Sequence, residues 1–333
     1  MANFSNPMAV RQSIRLHQAK RLLDDTQLPM TQVSRLSGYS SQRRFNAHML
    51  ASYGRSPYDW HALLAFLATR MIPGVEVIED GEYRRSIRLG EQYGLLRVRQ
   101  DKINHQLICS VSHAPESELL SLTEKLRNMF DLYADPIEIS HVLGQEPRLK
   151  QSLVKHPGLR IVGCWDGFET CIRAIVGQQI SVAGAITIVG RLVARYGVEC
   201  DLGAGISHAF PSSQKLAAEL ELEHLAMPRA RAQAILNLCQ AHASGTIDFD
   251  IMSSTELMHE LQNIKGIGPW TASYVALRAM HEPDIMPMQD LVLQKMLVPG
   301  ERLTAKQLGV RSEVWRPWRA YATLHLWQLA NEK

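Results

Sequence analysis

Cysteine is scarce and scattered in this chain. Its 333 residues contain five, Cys109, Cys164, Cys171, Cys200 and Cys239, and no two form a Cys-x-x-Cys pair. An odd number at irregular spacing excludes a disulfide framework and points to reduced thiols in a cytoplasm. The same spacing leaves no side-chain set for a structural zinc or an iron–sulfur cluster. No apolar run approaches the length that crosses a bilayer, and the start, MANFSNPMAVRQ, lacks the apolar core of a secretion signal. Internal repeats and low-complexity tracts are absent as well. Together these absences predict a cytoplasmic protein without a membrane partner or a side-chain metal site.

A strong charge excess is also missing. The net charge is only +3, so bulk charge does not diagnose a nucleic-acid partner. Its distribution is more telling. Residues 1–60 hold eight basic side chains, Arg11 to Arg55, against Asp24, Asp25 and Asp59, which leaves the remainder slightly acidic. A nearly neutral body can grip DNA only through local features such as helix ends. At 46% hydrophobic and 21% charged residues, the composition supports a sizeable core in two or three domains.

The most informative stretch is Leu261 to Asp290, LQNIKGIGPWTASYVALRAMHEPDIMPMQD. Gly266 and Gly268 permit a tight turn because they lack a Cβ, and Pro269 suits the first helical position. The N–H groups of Gly268, Trp270 and Thr271 then face outward at the positive end of a helix, a seat for a phosphate. Trp270 and Tyr274 lie at i and i+4, hence on one helix face. That spacing suits a pocket wall or a core stripe. Asp290 precedes the apolar segment LVLQKML. It reads either as that segment's N-cap or as a carboxylate placed for chemistry, and spacing alone does not decide.

The order of these parts resembles the helix-hairpin-helix DNA glycosylases, specifically the AlkA-type 3-methyladenine DNA glycosylase II. The motif runs Lys265-Gly266-Ile267-Gly268-Pro269-Trp270-Thr271-Ala272, followed by Asp290. Three separated segments extend the likeness: Pro57-Tyr58-Asp59-Trp60, GLRIVGCWDGFETCIRAIVGQQIS and WRPWRAYATLHLW. The resemblance covers residues 57 to 333. Two departures stand out. Lys265 replaces a common Pro, and Trp270 occupies the place where relatives with lyase activity carry a Schiff-base lysine. Tryptophan cannot form an imine, so the resemblance implies base removal without strand cleavage.

Along the chain, RLHQAKRLLDD has helical spacing, and LPMTQVSRLSGYSSQRRFNAHMLASYGRSP reads as helix, turn at Gly38, second helix. Thr31 can cap the first of these and Ser40 or Ser41 the second. The segment resembles one helix-turn-helix unit of AraC-type regulators, which implies that Gln42, Arg43 and Asn46 face DNA. A vestigial helical cap with a basic face fits the residues equally. VEVIED, RRSIRLG, GLLRVRQ and HQLICSV alternate as half-buried antiparallel strands do, between two helical stretches. Residues from 141 onward read as all helical, with one long helical segment from Ile172 to Tyr196. The expected architecture is mainly α with a small α+β domain. It comprises a helix-turn-helix segment over 1–57, an antiparallel-sheet domain over 58–140, and a helix-hairpin-helix domain of two helical subdomains around a cleft over 141–333.

The resemblance implies a chemistry for these parts. Asp290 is the catalytic carboxylate, Trp270, Tyr274, Trp327 and Phe66 line the base pocket, and Gly266, Gly268, Thr271 and Gln179 contact DNA. From the residues alone, Phe66 reads equally as core, Gln179 as the polar face of a buried helix, and Trp315 and Trp318 as packing. A base inside a duplex must be flipped out before its glycosidic bond can be attacked. An alkylated purine is cationic, and aromatic walls attract it by roughly 0.5–2 kcal/mol per face. The expected partner is double-stranded DNA with alkylated bases, met by a monomer without cofactor, apart from a monovalent cation that the family implies at the hairpin carbonyls of Ile264 to Ile267. The alternative is a transcriptional regulator of the alkylation response acting through the N-terminal segment. A third reading keeps the fold and changes the lesion to a deaminated base such as hypoxanthine or uracil.

Overall fold

The computed structural model describes residues 15, 18–22, 30–39, 58–101, 106–298 and 300–332. The first helix with complete bounds is α1, Met30–Leu36; it contains Thr31, which therefore lies inside the helix and is not its cap. Gly38 turns the chain at φ +77°, and buried Ala19 and Val33 pack with Leu22 and Tyr39. Ser40, Ser41 and the second helix, with Gln42, Arg43 and Asn46, lie outside the described residues.

Helix α2, Trp60–Ala68, starts where Asp59 accepts a hydrogen bond from the Ala62 N–H at 2.9 Å. The four strands β1 (Glu76–Glu79), β2 (Glu82–Leu89), β3 (Gln92–Asp101) and β4 (Gln106–Val111) then form an antiparallel meander in sequence order. Alternation puts Tyr83, Ile87 and Leu89 of β2 on one face with Leu96 and Val98 of β3. That face is covered by α2 and by α3, Leu119–Met129, whose Leu122 and Leu126 complete the core. Each such Leu or Ile contributes about 1.5–3 kcal/mol by leaving water.

The rest of the chain is helical: α4 (Pro136–Leu143), α5 (Pro147–Lys155), α6 (Gly167–Val176) and α7 (Val182–Tyr196). Two departures from the sequence reading occur here. The expected continuous helix from Ile172 to Tyr196 is interrupted at residues 177–181. Gln179 takes a left-handed φ of +58°, and Ser181 caps a new helix by accepting from Gly184 N–H at 3.1 Å. The region is also not all helical. Strands β5 (Val198–Gly203) and β6 (Ile206–Ala209) form a hairpin around Gly203 and Gly205, both at positive φ. The hairpin docks on the meander: Ser207 and His208 N–H donate to the Gly74 carbonyl at 2.9 and 3.0 Å, and Ser86 Oγ donates to His208 O at 2.8 Å.

Seven further helices follow: α8 (Ser213–Glu219), α9 (Arg229–Ala243), α10 (Ser254–Asn263), α11 (Pro269–Ala279), α12 (Leu291–Met296), α13 (Ala305–Ser312) and α14 (Arg319–Asn331). They build two apolar cores. One gathers α6 to α11, and the other gathers α4, α5 and α12 to α14. Helix α11 belongs to both, because Ala272 and Val275 enter the first core and Leu277 enters the second. Its remaining face stands at the seam between the two helical units. A buried ion cluster ties the meander to α6 at the same seam. Arg85 Nη2 donates to Glu169 Oε2 at 2.7 Å, and Arg173 Nη2 donates to Glu76 Oε2 at 2.6 Å.

Candidate active site

A cleft of about 290 Å³ opens at this seam and is lined by residues of the meander domain and of both helical units. Asp290 stands in it as the N-cap of α12. One carboxylate oxygen, Oδ1, accepts from Val292 and Leu293 N–H, both at 2.9 Å, and Oδ2 accepts from Trp270 Nε1 at 2.8 Å. The residue is 8% exposed. The cap and the cleft-facing carboxylate, alternatives in the sequence, are thus one residue using different oxygens. Three donors and a helix N-terminus fix the group without a cationic partner, since no ion pair to Asp290 occurs among the described residues.

Trp270 lies nearly parallel to Tyr274, with ring centroids 5.3 Å apart and planes 9° apart. Tyr274 meets Trp327 of α14 at 6.3 Å and 48°. These three rings and Phe66 of α2 all line the cleft, so the four predicted aromatics are brought together from three separate parts of the chain. Trp315, read as packing, is 1% exposed in the second core.

Sequence reading missed two arginines. Arg70 stands 3.8 Å and Arg278 4.8 Å from the Phe66 ring centroid, measured at the guanidinium carbon. Arg278 is held by the carbonyls of Val162 and Gly163 and donates to the Tyr274 hydroxyl at 2.8 Å. Arg70 donates to Phe66 O at 3.1 Å and lies beside the same hydroxyl. Burial alone would raise the Tyr274 phenol above its ordinary value; the positive charges of Arg278 and Arg70 outweigh it and hold the group lower. The signal existed in the sequence. Phe66 with Arg70, and Tyr274 with Arg278, are both i and i+4 pairs.

The hairpin before α11 separates its two glycines. Gly266 has φ +100°, and a Cβ there would sit 2.8 Å from that of Ala234. Gly268 has an extended backbone, and a Cβ there would meet nothing within 4 Å. The fold therefore requires glycine at 266 only. Helix α11 has no side-chain cap, so its first N–H groups, including that of Thr271, are left for an outside acceptor. The Thr271 side chain is buried and accepts from Gln178 Nε2 at 3.1 Å; the same amide donates to Gly266 O at 3.1 Å. Gln178, another residue that sequence reading did not single out, thus clamps the hairpin to the break between α6 and α7. Gln179 projects from that break and is exposed.

Comparison with known proteins agrees with this geometry. Three family models match: a helix-turn-helix domain over residues 5–62, the AlkA N-terminal domain over 50–166, and the HhH-GPD superfamily of base excision DNA repair proteins over 172–319. The chain is 37% identical to DNA-3-methyladenine glycosylase 2 of Escherichia coli, covering 81% of this chain and 94% of that one. It is 33% identical to a probable bifunctional transcriptional activator/DNA repair enzyme AlkA of Mycobacterium tuberculosis, over 97% of this chain and 71% of the relative. In structure it is similar to a 3-methyladenine DNA glycosylase from Archaeoglobus fulgidus, with a TM-score of 0.72 at 20% identity over 84% of this chain and 97% of that one. The hairpin, the carboxylate at the next helix start and these full-length relatives together place the chain in the AlkA family of helix-hairpin-helix DNA glycosylases.

Proposed function

We propose that this protein is a monofunctional DNA glycosylase that removes alkylated, cationic purines such as 3-methyladenine and 7-methylguanine from double-stranded DNA. The observation that carries the reading is Asp290, a desolvated carboxylate fixed by three donors and facing an aromatic cleft. As the bond from C1′ to the base breaks, its electron pair leaves with the base and the sugar gains positive charge. Asp290 stabilises that charge, orients the attacking water and receives its proton. Because the carboxylate is already held in place, little reorganisation is needed when charge develops. The aromatic rings of Trp270, Tyr274 and Trp327 bind the flipped base. No lysine lines the cleft among the described residues, in keeping with hydrolysis without an imine.

DNA is gripped at the uncapped start of α11, where Gly268, open to close approach, and the N–H of Thr271 seat a phosphate. Gln179 enters the gap left by the flipped nucleotide. A cation at the hairpin enters no step here. The carbonyls of Ile264 and Gly266 already accept from Ile267 N–H and Gln178, so each has one lone pair left to give. The protein works as a monomer in the cytoplasm, with its first 57 residues as a separate DNA-binding segment. The helix-turn-helix match and the mycobacterial relative favour a second role for that segment, regulation of transcription in response to alkylation.

The test is release of free 3-methyladenine and 7-methylguanine from methylated duplex DNA by wild type and Asp290→Asn. Loss of release in the variant with DNA binding retained is expected. No release by folded wild-type protein would sink the enzyme reading and bring the regulator forward.

A further inference from the structure

The cleft holds more positive charge than a pocket for cationic bases needs. Of its four arginines, Arg85 and Arg173 are neutralised by Glu76 and Glu169 in the buried ion cluster. Arg70 and Arg278 have no carboxylate within ion-pair distance among the described residues, yet both stand at the Phe66 ring. Their shared neighbour is the Tyr274 hydroxyl. It accepts from Arg278 at 2.8 Å and has Arg70 beside it. Among the described residues nothing accepts the proton of that hydroxyl, although the side chain lines the cleft.

Two guanidiniums on a phenol oxygen polarise its O–H, and a polarised donor facing a pocket seeks an acceptor on the ligand. A cationic alkylated purine gains little from this, because it departs as a neutral molecule and repels the same arginines. A neutral purine is different. Its departing ring carries the electron pair of the broken bond as negative charge, and it leaves slowly unless a donor stabilises that charge.

We propose that Tyr274, positioned by Arg278 and Arg70, is a hydrogen-bond donor to the departing base and extends this site to neutral purines bearing ring or carbonyl acceptors. The inference rests on the glycosylase reading above and assigns the residues that set its substrate range. The bond from C1′ to the base nitrogen breaks, and its electrons stay on the base. A water oxygen bonds to C1′ and yields its proton through Asp290, and the base takes up one proton from solvent after departure. Tyr274 keeps its proton throughout and supplies only the hydrogen bond.

The experiment compares single-turnover release of hypoxanthine and of 7-methylguanine from duplexes containing each, by wild type, Tyr274→Phe and Arg70→Met. The phenylalanine keeps the ring, and the methionine keeps an apolar stem over Phe66. The ratio of hypoxanthine to 7-methylguanine release is expected to fall about tenfold to a hundredfold in Tyr274→Phe, the loss of a charge-assisted hydrogen bond. In Arg70→Met it falls several-fold. A purely structural defect would lower both rates together, and an unchanged ratio in Tyr274→Phe overturns the proposal. Wild-type release of 7-methylguanine with none of hypoxanthine also overturns it. Release of neither base by wild type overturns the underlying glycosylase reading instead.

Discussion

Trp270 Nε1 donates a 2.8 Å hydrogen bond to Asp290 Oδ2 across twenty residues of chain. The residue at the place of the lyase lysine therefore orients the carboxylate, and the same ring stacks on Tyr274. Position 270 thus couples the wall of the cleft to its charged group.

Asp290→Asn can still cap α12 through its side-chain oxygen, so Tm should change little, while release of alkylated purine falls on the order of a hundredfold or more. Asp290→Ala should lose the same activity and about 1 kcal/mol of stability besides. Single-turnover release and thermal melting on both variants separate the two roles. A fully active Asp290→Asn protein would remove the residue from the chemistry.

The two hairpin glycines should behave oppositely. Gly266→Ala meets both a left-handed backbone and Ala234, and costs at least about 1–2 kcal/mol of stability. Gly268→Ala has room and an ordinary backbone, so its Tm should match wild type while its affinity for duplex DNA falls. Melting curves and fluorescence anisotropy on a labelled duplex read both. Unchanged affinity in Gly268→Ala would exclude the phosphate seat.

Gln179 holds a left-handed conformation that glycine adopts freely. Gln179→Gly should raise stability by about 1 kcal/mol or less, the strain being offset in part by a freer unfolded chain. It should slow base release, because the group that fills the gap is gone. Faster or equal release from a paired duplex would assign Gln179 to structure alone.

The buried ion cluster gives the fold an acid limit. Burial opposes ionisation of Glu76, but Arg173 and Arg85 outweigh it and hold the carboxyl at about 2. A depressed carboxylate contributes its full stability above the unfolded value near 4.5 and loses it as the pH falls through about 2. Wild-type Tm should therefore drop across that window. Glu76→Gln should show a shallower drop there, but a melting point already lower at pH 7, since breaking a buried pair costs about 3–5 kcal/mol. Parallel Tm–pH curves for the two proteins would argue against Glu76 as the titrating group.

Local rules explain which parts were legible in the sequence. Strand alternation located the meander, and the Gly-Ile-Gly-Pro turn located the start of α11. Both depend on neighbours within a few residues. The break between α6 and α7 escaped because VGQQIS is polar and uncommitted by itself. There the chain turns at Gln179 while Gln178 bonds to Gly266 and Thr271, some ninety residues away. The β5–β6 hairpin escaped for a similar reason, since its partner, Gly74, lies in the preceding domain.

By itself the sequence determined the helical class, the small antiparallel domain, the carboxylate at a helix start and the aromatic character of its surroundings, all carried by period, cap and turn chemistry. Only the tertiary structure decided that Asp290 and Trp270 are bonded, that Arg70 and Arg278 converge on one tyrosine, and that Gly268 alone of the hairpin glycines is open to approach. Those facts depend on α11 serving two cores at once. Packing of whole elements fixes such distances, and no window of local sequence encodes them.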